Sequence, residues 1–366
     1  MKHSKIKKLA LLTGGGDCPG LNSAIRSVVQ CCTLEYGIQV VGIPDGFKGL
    51  LENKFVPLDL LNTTGIFARG GTMLGSSNVD TPFSVPVNKG GKRVYEDRSD
   101  EVMEHLARER VDAMIVVGGD GTQAIAHGMA QKGLKVVGIP KTIDNDLNGT
   151  EQTIGFHTAV TTAVDAIDKL HTTAESHHRV LVVEVMGRNA GWIALFAGLG
   201  GDADVILIPE IPYELEKVAA FLNDLYHTHK RYSIVVVAEG AKPVGGDVVV
   251  NRIIEDSPEK VRLGGVGNQV ALQLEQRLAD GWKAGDDRGR IADAGERLAL
   301  SGNVDDLALV VAVDRRGDGD GCAVGAHDPP GVAGLAAPGG VEHGPVEDDA
   351  AALVDGEHGR RGFGQG

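Results

Sequence analysis

Two short polar clusters carry the residues best suited to chemistry. One is Gly118-Gly119-Asp120-Gly121-Thr122 and the other is Lys141-Thr142-Ile143-Asp144-Asn145-Asp146. Each follows a short run rich in Val and Ile, at 114–117 and 136–139, which reads as a buried parallel strand. The segment between them, 123–132, has helical spacing, so the whole is a β-α-β unit. Ligands of open α/β sheets bind outside the carboxyl ends of the strands. Three carboxylates and a lysine at that edge suit phosphoryl transfer with a divalent cation. Glycines let backbone N–H groups approach phosphate oxygens. One carboxylate can hold Mg²⁺, and another can take a proton from an attacking hydroxyl.

The elements that must position these groups follow from the rest of the chain. It has 366 residues, 42% of them hydrophobic, enough for two α/β domains with cores. A net charge of −14 argues against a nucleic-acid surface, while local glycine amides and arginines still suit anionic small molecules. Cys18, Cys31, Cys32 and Cys322 have neither metal spacing nor a disulfide framework, as in a reducing cytosol. The first apolar run is too short for a signal peptide and none reaches membrane-spanning length. The expectation is a cytoplasmic protein with small-molecule substrates and neither nucleic-acid nor membrane partners.

Residues 6–12 read as a first strand, followed by Thr13-Gly14-Gly15-Gly16-Asp17-Cys18-Pro19-Gly20 and a helix from Asn22. A glycine loop before a helix N-terminus is a ready anion site. A second glycine-rich loop runs through 69–78 to Asn78. Residues 179–185 form a buried strand ending in Met186-Gly187-Arg188, and 233–238 another ending in Glu239-Gly240. An arginine beside such a strand end suits a phosphate dianion, because guanidinium offers fork-like donors. His177 and His178 read as a loop pair rather than metal ligands.

GGDGT together with PKTIDND, the first loop GGGDCPGLNSAIR and the MGR element resemble the phosphofructokinase family over about residues 6–279. GGDGT also occurs in NAD and lipid kinases, whereas PKTIDND at this spacing is far more specific. The resemblance implies two Rossmann-like α/β domains with parallel-type sheets and the active site in the interdomain cleft. Residues 1–150 would form the nucleotide and Mg²⁺ domain and 151–279 the fructose 6-phosphate domain. The implied reaction is glycolytic phosphoryl transfer from ATP to the 1-hydroxyl of fructose 6-phosphate. Asp144 is the implied general base, Lys141 neutralises the transferring phosphoryl, and Asp120 with Asp146 holds Mg²⁺. Gly15, Asn78, Gly119, Asp120, Gly121 and Thr122 fall on the donor side. Thr142, Ile143, Asp144, Met186, Gly187, Arg188 and Glu239 fall on the acceptor side, and Arg179 matches an arginine that serves a neighbouring subunit. Family members are usually dimers or tetramers, so a homo-oligomer is expected. Gly121 is the ATP-type residue, Lys141 also marks the pyrophosphate group, and Asn78 stands where many ATP-using members carry arginine. Pyrophosphate therefore stays open as an alternative donor.

After about residue 279 the resemblance stops, and a His-x-Gln-Arg-Gly-Gly stretch that completes the family's sugar-phosphate site is absent from the sequence. Residues 281–366 hold 19 glycines and 16 acidic residues against 8 basic ones, too little large apolar surface for a domain. A shifted reading frame in a GC-rich gene accounts best for this 280–366 segment, against a diverged tail or a regulatory extension. The 298–313 patch is apolar enough to order, whereas much of the rest, such as 317–321 and 329–344, is too glycine-rich. A chain without catalysis, keeping the donor site and lacking half of the acceptor site, is the reading from a different class.

Overall fold

A computed structural model describes residues 5–228, 230–254, 260–282 and 308–313. In chain order the first half contains β1 (Lys8–Thr13), α1 (Leu21–Gln30), β2 (Gln39–Ile43), α2 (Phe47–Leu51) and β3 (Val56–Leu58). It continues with β4 (Val85–Lys89), β5 (Lys92–Glu96), α3 (Ser99–Arg108), β6 (Ala113–Gly118), α4 (Asp120–Gln131), β7 (Val136–Thr142) and β8 (Ile154–Gly155). The second half contains α5 (Phe156–His177), β9 (Val180–Val185), α6 (Trp192–Gly200), β10 (Val205–Leu207), α7 (Leu215–Thr228) and β11 (Ser233–Ala238). Then come β12 (Val250–Ile253), β13 (Val261–Leu263), α8 (Val266–Trp282) and β14 (Ala308–Val313). The strands and helices expected from apolar spacing are present, with ends displaced by a few residues.

The first sheet has the order β3-β2-β1-β6-β7-β8, with only β3 antiparallel. Strand β1 pairs with β2 on one side and β6 on the other. That reversal is a topological switch point, and a crevice opens there at the carboxyl ends of the strands. Alternation along β1 divides the core. Leu9 and Leu11 pack with Leu21, Ile25 and Val29 of α1, while Ala10 and Leu12 pack with α2, α3 and α4. Each such Leu or Ile, fully buried, contributes roughly 1.5–3 kcal/mol.

The second sheet has the order β10-β11-β9-β14, with β14 antiparallel to β9. Every residue of β9 and β11 is buried. Val180 and Val182 face α7 and α8, and Leu181, Val183 and Val185 face α5 and α6. Of the 298–313 patch, the 308–313 part forms β14. Residues 298–307 and the glycine-rich stretches beyond 313 lie outside the described residues.

Two details differ from the sequence reading. Strand β7 forms where expected, but Val137 is 61% exposed. Its outer neighbour β8 reaches only Lys141 and Thr142, which leaves most of that edge uncovered among the described residues. Two hairpins were also not anticipated: β4–β5, joined through Gly90 and Gly91 at positive φ, and β12–β13. Two glycines with φ above zero make the tight turn whose twist matches paired strands.

Candidate active site

Loops from both sheets line one cleft of about 1150 Å³. The turn after β1 brings Gly15, Gly16, Asp17 and Cys18; the segment around 77–81 brings Asn78. The turn after β6 brings Gly119, Asp120, Gly121 and Thr122, and the end of β7 brings Lys141, Thr142, Ile143, Asp144 and Asp146. Across from these stand Met186 and Arg188 after β9, and Glu239 after β11. The residues expected from sequence thus come together, with two exceptions. Gly187 does not line the cleft. Arg179 precedes β9, at the opposite end from Met186, and six strand residues separate the two ends by about 20 Å. Arg179 therefore does not reach the cleft of its own chain.

Backbone contacts hold the first loop in shape. Gly14 N–H donates to the Val117 carbonyl at 2.9 Å and Gly15 N–H to the Ser77 carbonyl at 3.0 Å. The Ser76 hydroxyl returns a bond to the Gly15 carbonyl at 2.5 Å. Lys141 is 3% exposed and its Nζ donates to the Gly16 carbonyl at 2.7 Å. Burial holds its pKa below the usual lysine value, while Cys18, Asp17 and Asp144 pull it back up. The lysine thus ties the end of β7 to the first glycine loop. Burial pushes the neighbouring Cys18 thiol up to about 12, so it is an inert neutral wall.

Asp144 is the most perturbed carboxyl of the cleft. Burial, reinforced by Asp146 and Glu239, pushes it up to about 6, against the pull of Arg188 and Thr142. Its Oδ1 is buried with no hydrogen-bond partner. A buried polar atom without a partner is costly, and such atoms concentrate where chemistry needs them. A carboxylate poised near 6 is a competent base at neutral pH.

The Arg188 turn is strained. Gly187 has φ of 137° and Arg188 has φ of 51°, a conformation that non-glycine residues rarely adopt. The Glu239 carboxylate fixes it by accepting the Arg188 N–H at 2.8 Å. Gly240 closes against the same turn, since a Cβ there would lie 1.9 Å from the Arg188 carbonyl oxygen.

Asp120 and Asp146 are exposed in the cleft. Among the described residues no three His, Cys, Asp or Glu converge as a cage. One or two carboxylates beside a phosphate site fit Mg²⁺, which keeps waters and shares phosphate oxygens. Sequence reasoning missed Asp17, Cys18, Glu184 and the β12–β13 residues Asn251, Arg252 and Arg262, all of which line the cleft. For the hairpin, alternation around the Ser257-Pro258 pair was the available signal.

Two Rossmann-like sheets, a switch-point glycine loop and a carboxylate-lined cleft define an α/β protein of the phosphate-binding class. The sequence pattern of the family described as Phosphofructokinase matches residues 8–281. The ATP-dependent 6-phosphofructokinase 2 of Clostridium perfringens is 54% identical over 271 residues, covering 74% of this chain and 74% of that protein. The pyrophosphate–fructose 6-phosphate 1-phosphotransferase of Streptomyces coelicolor is 49% identical over 274 residues, covering 75% and 77%. Phosphofructokinase of Saccharomyces cerevisiae superposes with a TM-score of 0.61 at 29% identity, covering 74% of this chain and 36% of that one. This chain therefore spans about a third of the yeast chain's length. The chain belongs to the phosphofructokinase family. The segment after 281 falls outside the match, as expected from the loss of resemblance near 279.

Proposed function

We propose that this protein is a 6-phosphofructokinase that transfers the γ-phosphoryl group of ATP to the 1-hydroxyl of D-fructose 6-phosphate. The products are ADP and fructose 1,6-bisphosphate, a step of glycolysis. The observation that carries the reading is Asp144: a half-buried side chain whose Oδ1 is buried without a hydrogen-bond partner and whose pKa is pushed up to about 6, between glycine loops and an arginine turn. Asp144 takes the proton of the attacking hydroxyl. Lys141 stabilises charge on the transferring group, the dominant contribution in such reactions. Gly15, Asn78, Gly119, Gly121 and Thr122 hold the donor. Thr142, Ile143, Met186, Arg188 and Glu239 hold and orient the acceptor, Gly187 shapes the turn that presents Arg188, and Arg179 serves the cleft of a neighbouring subunit in a homo-oligomer. Asp120 and Asp146 would hold Mg²⁺, which supplies charge neutralisation at the phosphates.

On this reading residues 1–150 carry the donor side and 151–279 the acceptor side, in a cytoplasmic enzyme. No helix among the described residues is long and apolar enough to cross a membrane. Pyrophosphate is the second reading, favoured by Lys141 and by the 49% identity to the Streptomyces enzyme named for it. Open space at Gly121 supports ATP, because a Cβ there meets nothing within 4 Å. The test is product formation by the full chain with fructose 6-phosphate, Mg²⁺ and either donor. Turnover with pyrophosphate but none with ATP would reverse the donor. Binding of ATP without turnover on either donor would favour the non-catalytic reading.

A further inference from the structure

We propose that Thr153, together with Asn145, is a positioning residue for the reaction: it pins the loop that carries Asp144 and so fixes where the base stands. The inference rests on the phosphoryl-transfer reading of the cleft and adds to it the residues that hold the base. Asp144 is poorly placed to hold itself. Its Oδ1 makes no hydrogen bond, and the chain beyond it runs out into solvent, with Asp146 and 148–152 exposed. The position of the carboxylate therefore depends on the backbone to either side of it.

Both sides are tied to one threonine. The Thr153 hydroxyl donates to the Thr142 carbonyl at 2.7 Å, ahead of Asp144 in the chain. The Thr153 N–H donates to Asn145 Oδ1 at 2.9 Å, directly after Asp144. Asn145 Oδ1 also lies 3.3 Å from the Thr153 hydroxyl, and Asn145 Nδ2 donates to the Glu151 carbonyl at 3.2 Å. The neck of the exposed loop is thereby closed across Asp144. The Asp144 N–H donates to the Thr142 hydroxyl at 3.1 Å, so the turn is fastened from within as well.

The conformation and the anchorage point the same way. Asn145 has φ of 53°, a left-handed conformation in which asparagine is among the few side chains tolerated. Thr153 is 4% exposed and leads directly into β8, where Ile154 pairs with Lys141 and Gly155 with Thr142. Cys18 closes against that short strand. Its thiol donates to the Ile154 carbonyl at 3.2 Å, and a Cβ on Gly155 would lie 2.0 Å from its sulfur. The pin thus stands on packed structure, while the loop it holds is open to solvent. Thr153 does not line the cleft, so its effect on the chemistry passes through Asp144.

The test is steady-state kinetics of the full chain, parent and variants, with fructose 6-phosphate and whichever of ATP and pyrophosphate the parent uses. Thr153→Val keeps the shape and removes the hydroxyl. It should lower kcat about ten- to a hundredfold and leave both KM values within about threefold, because a slightly misplaced base fails in the transition state before binding suffers. Thr153→Ser should recover most of the loss. Parent-like kcat in Thr153→Val overturns the proposal. So does a loss that serine does not recover, or one shared equally by kcat and both affinities, since either marks general damage. If Thr153→Val fails to fold, Asn145→Gly decides by the same criterion, because it suits the positive φ and removes only the acceptor side chain. If the parent turns over with neither donor, the kinase reading fails separately and deuterium exchange decides the pin. Faster exchange over 143–152 in Thr153→Val, with Thr153→Ser like the parent, upholds it, and equal exchange overturns it.

Discussion

Replacing Asp144 by Asn should abolish turnover and stabilise the fold, but only above a definite pH. In the folded protein this carboxyl is raised from 3.8 to about 6, chiefly by burial. Above that value the ionised form is disfavoured in the fold relative to the unfolded chain. Below 3.8 the group is neutral in both states and the penalty vanishes. The rise corresponds to about 3 kcal/mol at most, at 1.36 kcal/mol per pH unit, and the open side of the cleft reduces it. The amide carries no charge at any pH, so the variant escapes the penalty. Its melting temperature should exceed the parent's by about 5 °C at pH 8, and the difference should shrink to nothing near pH 4. Activity moves the other way: roughly 10²–10⁴ in kcat is lost at pH 8, and the parent's kcat/KM falls as pH drops through about 6. Thermal melts and initial rates across pH 4–8 measure both. A melting difference independent of pH would refute the argument from burial, and near-parent turnover would remove Asp144 from the role of base.

Asp120→Ala should weaken Mg²⁺–ATP binding at least tenfold while fructose 6-phosphate affinity stays within twofold; equal loss in calorimetry would mean damage to the fold instead. Gly240→Ala should cost about 1–3 kcal/mol and raise the KM for fructose 6-phosphate, because its Cβ meets the Arg188 carbonyl oxygen at 1.9 Å. Parent-like melting and KM would show that the turn tolerates displacement. Gly121→Asp should cut ATP use far more than pyrophosphate use and leave the melting temperature unchanged, as read from rates with both donors.

The parts of this fold legible in the sequence were those written in local patterns. Parallel strands buried on both faces read as continuous runs, so β1, β6, β9 and β11 were found with the polar residues at their ends. Those ends carry the site, which is why Asp120, Lys141, Asp144 and Arg188 could be named beforehand. What escaped depends on pairing over distance. Glu184 looked like one more residue of a core strand, yet it binds amides 81 and 83 positions away. The β12–β13 hairpin offered only a weak alternation signal, and its place beside the cleft depends on packing that local pattern does not carry. Arg179 and Arg188 bracket the same strand, and only the direction of β9 tells which one faces the cleft of its own chain.

Three glycines of a single turn illustrate how one motif serves unrelated physical ends. A Cβ on Gly118 would lie 2.4 Å from the Thr122 side chain, so that glycine lets the turn fold back onto the start of α4. A Cβ on Gly119 would come to 3.4 Å from the Lys141 carbonyl oxygen, a distance set by the packing of β6 against β7. Gly121 meets nothing within 4 Å and is exposed in the cleft. Its lack of a side chain does nothing for the fold, and its effect is confined to the space left for a ligand. Lys141 is held by the Gly16 carbonyl before any donor arrives, so its charge is available to whichever phosphoryl group enters. The choice between a nucleotide and a bare diphosphate then falls on the size and charge of residue 121. A donor extending beyond its second phosphate needs the room that glycine leaves, and a carboxylate there would meet that extension with both bulk and like charge.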